Sequence, residues 1–187
     1  DIDKVCLELG KKLPFWDKSL DLVVLTHPHD DHVTGLVEVL RRYEVEQVLE
    51  PGLSENTSAY NAWLEVIDQK GIERTIAKAG QRIELGDGMV IEVIYPGADL
   101  LEGTESDANN NSVVLRLVWG EVGFLFTGDI EEEAEREILY DDLWHDLNST
   151  VLKVAHHGGV KSTSSQFIAA VDPQGAVIFV GGNNYFG

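Results

Sequence analysis

The segment His27-Pro28-His29-Asp30-Asp31-His32 gathers three imidazoles and the Asp31 carboxylate within six residues. An apolar run, Leu22-Val23-Val24-Leu25-Thr26, leads straight into it, so a buried strand delivers these side chains to the mouth of a core. Imidazole nitrogen and carboxylate oxygen suit a borderline divalent ion, Zn2+ first, with Mn2+ or Fe as further occupants. In the pattern H-x-H-x-D-H, strand alternation predicts His27 and His29 on one side. Asp31 and His32 fall a turn further on, within reach of a second ion. The competing account is a His- and Asp-rich surface loop capping the helix that starts near Val33.

Two later segments have matching chemistry. An apolar strand over 122–126 stops at Thr127-Gly128-Asp129. Asp129-Ile130-Glu131-Glu132 fits a helix N-cap with an acidic third residue equally well, so Asp129 is either ligand or cap. A second apolar strand, Val151-Leu152-Lys153-Val154-Ala155, hands over to His156-His157-Gly158-Gly159. Five of the six histidines fall in these two strand-end clusters, which argues against coincidence. His145 has no such context and reads as a surface or packing residue. Lys153 and Lys161 flank the second cluster and can meet a phosphodiester backbone, though each also reads as a solvated charge.

These groups need a scaffold, and the chain reads as one soluble domain over 1–187, with 43% hydrophobic residues. Helices are predicted over 2–12, 33–43, 57–70, 131–140 and 164–171. Strands are predicted over 20–26, 47–49, 74–78, 89–95, 112–119, 122–127, 151–155 and 176–180, with a hairpin at Gly120-Glu121. Such a mixed order, βα units at both ends around a meander, stacks helices outside a pair of sheets. No apolar stretch is long enough for a bilayer span. The single cysteine, Cys6, excludes an internal disulfide and reads as a buried thiol. A formal charge of −19, from 33 acidic and 14 basic residues, argues against a tight autonomous nucleic-acid binder.

The HPHDDH motif, the stretch FTGDIEEEAE and the stretch LKVAHHGG stand in the order and spacing of the metallo-β-lactamase fold, which the chain resembles. Leu13-Pro14-Phe15-Trp16, LTHPHDDHVTGL, Asn109-Asn110-Asn111-Ser112-Val113-Val114-Leu115 and Gly182-Asn183-Asn184-Tyr185-Phe186-Gly187 narrow the resemblance to the C-terminal domain of the ComEC competence proteins, bacterial membrane proteins of DNA uptake. The resemblance implies an α/β (α+β) fold, an αββα sandwich with two divalent ions between its sheets, Zn2+ first and Mn2+ second. It also implies hydrolysis of DNA, a transient and weakly bound substrate, by an ion-activated water. The parent would be a membrane protein whose channel portion is a partner of this domain, with the domain on the extracytoplasmic face.

Carried over by position, the metal ligands are His27, His29, Asp31, His32, Asp129 and one of the pair His156 and His157, with His156 preferred. His157 is then the donor to substrate, and Asp31 and Asn109 join it as catalytic residues. Asn109 and Ser112 match an N-x-x-S element that stands where many relatives have another His, so both are assigned to substrate with Lys153 and Lys161. For Asn109 a turn residue before the next strand is the equal alternative. Three departures stand out. Gly159 stands where the family has a serine, the family's first strands and Asp-rich turn precede the point where Asp1 stands, and the family continues with a His-Pro past the point where Gly187 stands. The chain is therefore expected to be a fragment of a larger protein. A small-molecule phosphodiester or ester hydrolase and a non-catalytic, metal-stapled docking domain remain the rival functions.

Overall fold

The structure, a computed structural model, describes residues 4–140 and 146–180. The segment 182–187 and His145 lie outside the described residues. The chain divides into two compact units, Asp1–Ile76 and Ala77–Gly187.

The first unit opens with α1 (Lys4–Lys12) and continues as β1 (Ser19–Val24), α2 (Asp30–Arg42), β2 (Glu44–Glu50), α3 (Ser58–Lys70) and β3 (Glu73–Ile76). The three strands are parallel, in the order β1-β2-β3. Parallel neighbours need crossovers, and α2 and α3 supply them. Val33, Val37 and Leu40 recur at helical spacing on α2 and are buried, packed in one core with Leu25, Val48 and Trp63. The ends of α3 are set by local chemistry. Thr57 accepts the Tyr60 amide at 3.1 Å, and Gly71, with φ 65°, terminates the helix in the left-handed region while Ile72 N donates to Ile67 O. Glu50, at the end of β2, is wholly buried but satisfied. It accepts Tyr60 Oη at 3.1 Å, Trp63 Nε1 at 2.8 Å and Arg74 Nε at 2.8 Å. Burial first, and then the Glu50 charge, push the Tyr60 phenol up to about 12.

The second unit holds β4 (Arg82–Gly86), β5 (Met89–Tyr95), α4 (Asp107–Asn110), β6 (Val114–Trp119), β7 (Val122–Phe126), α5 (Glu132–Tyr140), β8 (Val151–Lys153), a 3-10 turn (Ala155–Gly158), α6 (Ser165–Val171) and β9 (Gly175–Val177). Its six-stranded sheet runs β4-β5-β6-β7-β8-β9, antiparallel as far as β7 and parallel from β7 to β9. The hairpin at Gly120-Glu121 forms as expected, with Trp119 opposite Val122. Two elements escaped the sequence reading. Strand β4 is nearly all exposed and lacks an apolar run, although Asp87-Gly88, both at positive φ, is a strong hairpin signal. Helix α4 is too short for any periodicity.

Pairing directions decide where the chemistry goes in this unit. The C-terminal ends of the parallel strands β7 and β8 share an edge, and the start of antiparallel β6 lies beside the end of β7 through the pair Leu115 and Phe126. The segments 109–112, 127–129 and 154–157 are thereby brought to one rim.

Candidate metal centre

In the first unit the strand ends earlier, and the helix begins earlier, than the sequence suggested. Strand β1 stops at Val24, His27 and His29 occupy the loop beyond it, and α2 starts at Asp30. Strand alternation therefore does not place the two imidazoles; the loop does. His29 is the N-cap residue of α2 without a side-chain capping bond, and Asp30 and Asp31 in the first turn complement the helix macrodipole. His27 is fully buried, with its ring edge-on to His29 at 4.8 Å between centroids and 4.1 Å from the His32 ring. The Thr26 hydroxyl stands between His27 Nδ1, at 3.2 Å, and His32 Nδ1, at 3.3 Å. The hydroxyl oxygen has two lone pairs and can accept Nδ1–H from both rings, which orients them and leaves the lone pair of each ring on Nε2. His32 Nε2 is 3.6 Å from Asp31 Oδ2, on a carboxylate that is largely exposed. Thr26 was not recognised in the sequence; the hydroxyl directly before the first His was the available signal.

In the second unit each residue of Asn109-Asn110-Asn111-Ser112 is buried and each has a different task. Asn111 donates to Leu101 O and Asp107 O and accepts Leu101 N at 2.8 Å, which ties down the preceding loop. Asn110 Oδ1 accepts Glu131 N at 3.1 Å and Ala134 N at 3.2 Å, and its amide donates to Glu133. The start of α5 is therefore capped by Asn110. Asp129 lies three residues before the first helical residue, so the capping account of Asp129 does not hold. Ser112 Oγ, assigned to substrate from the sequence, accepts the Asp129 backbone N–H at 3.1 Å and so positions Asp129. Asn109 belongs to α4 rather than to a turn; it donates Nδ2 to Glu131 Oε1 at 3.0 Å, and its buried Oδ1 has no partner among the described residues.

His156 and His157 both sit at positive φ, 45° and 55°. Consecutive non-glycine residues in this region store strain, of order 1–3 kcal/mol each, that the surrounding bonds must hold. His157 Nδ1 is 2.7 Å from Phe179 O, to which it must donate, so its lone pair lies on Nε2, 3.2 Å from Asp129 Oδ2. His156 Nδ1 instead meets Glu131 Oε1 at 3.2 Å. A metal-ligating imidazole characteristically gives its other N–H to a carbonyl or carboxylate. Both rings satisfy that rule, but only His157 pairs it with a carboxylate already assigned as a ligand, which reverses the preference for His156. Glu131 is buried and holds Asn109 and His156 with one oxygen; the sequence reading treated it only as a helix-start residue.

The two lysines assigned to substrate are otherwise engaged. Lys153 Nζ donates to Gly128 O at 2.7 Å and stands 3.5 Å from Asp129 Oδ1. Burial pushes its ammonium pKa down, and the Asp129 carboxylate pulls it partly back. Lys161 pairs with Glu105 at the surface. Gly159 has a steric reason: a Cβ there would lie 3.1 Å from His156 O and 3.4 Å from His156 Nδ1. Thr163 brings a hydroxyl to the same loop, where its Oγ1 accepts Ala155 N at 3.2 Å.

These two sets of side chains fit divalent ions by donor type, neutral imidazoles with carboxylates, and by supporting bonds on the far nitrogens of the rings. The chain belongs to the metallo-beta-lactamase superfamily, whose model matches residues 13–182. It is 29% identical to ComE operon protein 3 of Bacillus subtilis (strain 168) over 184 residues, 95% of this chain and 23% of that protein. It is 31% identical to competence protein ComA of Neisseria gonorrhoeae over 169 residues, 90% of this chain and 21% of that protein. The chain thus spans about a fifth to a quarter of the length of these competence relatives. Among solved structures it resembles CmlA, a diiron beta-hydroxylase from Streptomyces venezuelae, with a TM-score of 0.55 and 13% identity over 89% of this chain and 36% of that one. That likeness concerns the fold, which hosts more than one reaction. No helix among the described residues is long and apolar enough to cross a membrane.

Proposed function

We propose that this chain is a metal-dependent phosphodiesterase that cuts DNA during competence-related uptake, as the extracytoplasmic domain of a membrane-anchored parent. The observation that carries the reading is the tautomer lock on His157, whose Nδ1 proton rests on Phe179 O while Nε2 faces Asp129. The first unit offers His27, His29, Asp31 and His32 as ligands for divalent ions, Zn2+ or Mn2+, and the second unit offers Asp129 and His157. When bound, the ions would make water acidic enough to attack phosphorus and would stabilise the charge that develops on its oxygens. The chain's own residues do the rest. Asp31, exposed at the start of α2, takes the proton of the attacking water. His156, steadied through Nδ1 by Glu131, gives a proton from Nε2 to the leaving alkoxide as the P–O bond breaks. Asn109 Oδ1, an acceptor left over, receives a hydrogen bond from substrate or solvent.

The relatives named as competence proteins support DNA as substrate. A small phosphodiester is the second reading, favoured by the charge of −19 and by the engagement of Lys153 and Lys161. The test compares single-stranded DNA, duplex DNA and a chromogenic phosphodiester at matched Mn2+ or Zn2+ and low salt. Metal-dependent cutting of single strands that disappears in Asp129→Asn supports the nuclease. Turnover of the small ester with both DNAs intact transfers the assignment to the second reading.

A further inference from the structure

The first unit carries a cleft of about 670 Å³ lined by Cys6, Leu7, Gly10, Lys11, Lys18, Arg42 and Tyr43. Its charged lining residues are all cations, in a chain of net charge −19. Lys11 and Arg42 are steadied by Glu8 and Glu38. Lys18 lies over the Tyr43 ring, 5.1 Å from its centroid, and forms no ion pair among the described residues. Three and two residues before Lys18 stand Phe15 and Trp16, 85% and 73% exposed, with rings edge to face at 4.8 Å. They are the central residues of a turn closed by Asp17 N on Pro14 O at 2.9 Å. The turn is held on both sides. Leu13 packs on the core, Glu44 N donates to Lys18 O at 2.7 Å, and Asp17 is drawn onto Ser19 by bonds that hold its carboxyl below the usual range.

Exposed aromatic faces on a rigid turn beside cations are what a single nucleic-acid strand requires: bases stack and phosphates pair, without sequence readout. We propose that this turn and cleft form a docking site for single-stranded nucleic acid, separate from the metal ligands. The proposal deepens the nuclease reading and rests on it for the identity of the strand. Because the turn precedes β1 and the HPHDDH motif follows it, the two are about 20 Å apart along the strand. A stacked strand of about six nucleotides covers that distance. The site therefore serves long substrates and is irrelevant to short ones.

The test measures binding of a fluorescent dT12 to the whole chain without metal, by anisotropy and by quenching of tryptophan emission. Phe15→Ala and Trp16→Ala, both at exposed positions, should each weaken binding on the order of 5-fold to 100-fold. Lys18→Glu should weaken it and flatten the dependence of log K on log salt by about 0.7. With metal, all three variants should raise KM for the 12-mer and leave turnover of a chromogenic phosphodiester unchanged. Wild-type affinity in the three variants overturns the proposal, as does loss of binding to anionic vesicles in place of dT12. Because binding is read without metal, a chain that binds dT12 through Trp16 and never cuts DNA refutes the nuclease reading alone. A chain that cuts DNA with unaltered KM in these variants refutes the docking site alone.

Discussion

Asn110→Ala separates scaffold from chemistry at the rim of the second unit. Its buried Oδ1 accepts two backbone N–H groups, from Glu131 and Ala134, where α5 begins. Removing the acceptor leaves both donors without a partner in a site closed to water. Each such group costs about 1–3 kcal/mol, against about 0.5–2 kcal/mol for an ordinary exposed cap. A loss of about 3 kcal/mol follows, roughly a 100-fold change in the folding equilibrium. With a urea dependence of about 2–3 kcal/mol per molar for a chain this size, the midpoint should fall by about 1–1.5 M. Asn110→Asp keeps the acceptor but sets a second carboxylate against Glu133, so it should fall between the wild type and Asn110→Ala. Asp129→Asn is nearly isosteric and keeps the backbone bond to Ser112, so its cost should be less than half as large. Denaturation monitored by circular dichroism, with chelator present throughout, makes the comparison. If Asn110→Ala moves the midpoint by under about 0.3 M, or Asp129→Asn moves it further than Asn110→Ala does, the assignment of the cap is wrong.

Changing His27 and His29 together to Ala should abolish bound metal measured by elemental analysis; unchanged stoichiometry removes the HPHDDH cluster from the centre. His157→Ala should lower metal content while His156→Ala leaves it intact, and the opposite pattern restores His156 as the ligand. Glu131→Gln should slow cleavage of DNA, whose leaving alkoxide needs a proton, by 10-fold or more, yet barely change a nitrophenyl ester, whose leaving group does not; equal losses on both substrates would reduce Glu131 to scaffold. Asp107 is held below its ordinary 3.8 by the Thr104 hydroxyl first and then by the Gly103 and Thr104 amides. A lowered folded pKa means its contribution is complete above the unfolded value and is lost as pH falls through the folded one, so Asp107→Asn should flatten the acid limb of stability below about pH 4.

What the sequence determined by itself was the donor chemistry and the family. HPHDDH, TGD and HHGG are each local, and each follows an apolar run of strand length, so residue type and position could be read together. The hairpin at Gly120-Glu121 and helices α2, α3, α5 and α6 were legible for the same reason, because periodicity and turn residues act within a few positions. Tertiary structure alone decided the division of labour inside each motif. Four consecutive polar residues, Asn109 to Ser112, look equivalent as letters, yet β6 entering beside the end of β7 sends them to different partners. The same holds for the histidine pair, where Phe179 and Glu131, 22 and 25 positions away in sequence, select the free nitrogen of each ring. Lys153 passed for a substrate contact because its charge is visible in the sequence and its burial against Gly128 is not. Hydrogen-bond partners are chosen by through-space distance, and strand pairing between segments far apart in the chain sets that distance.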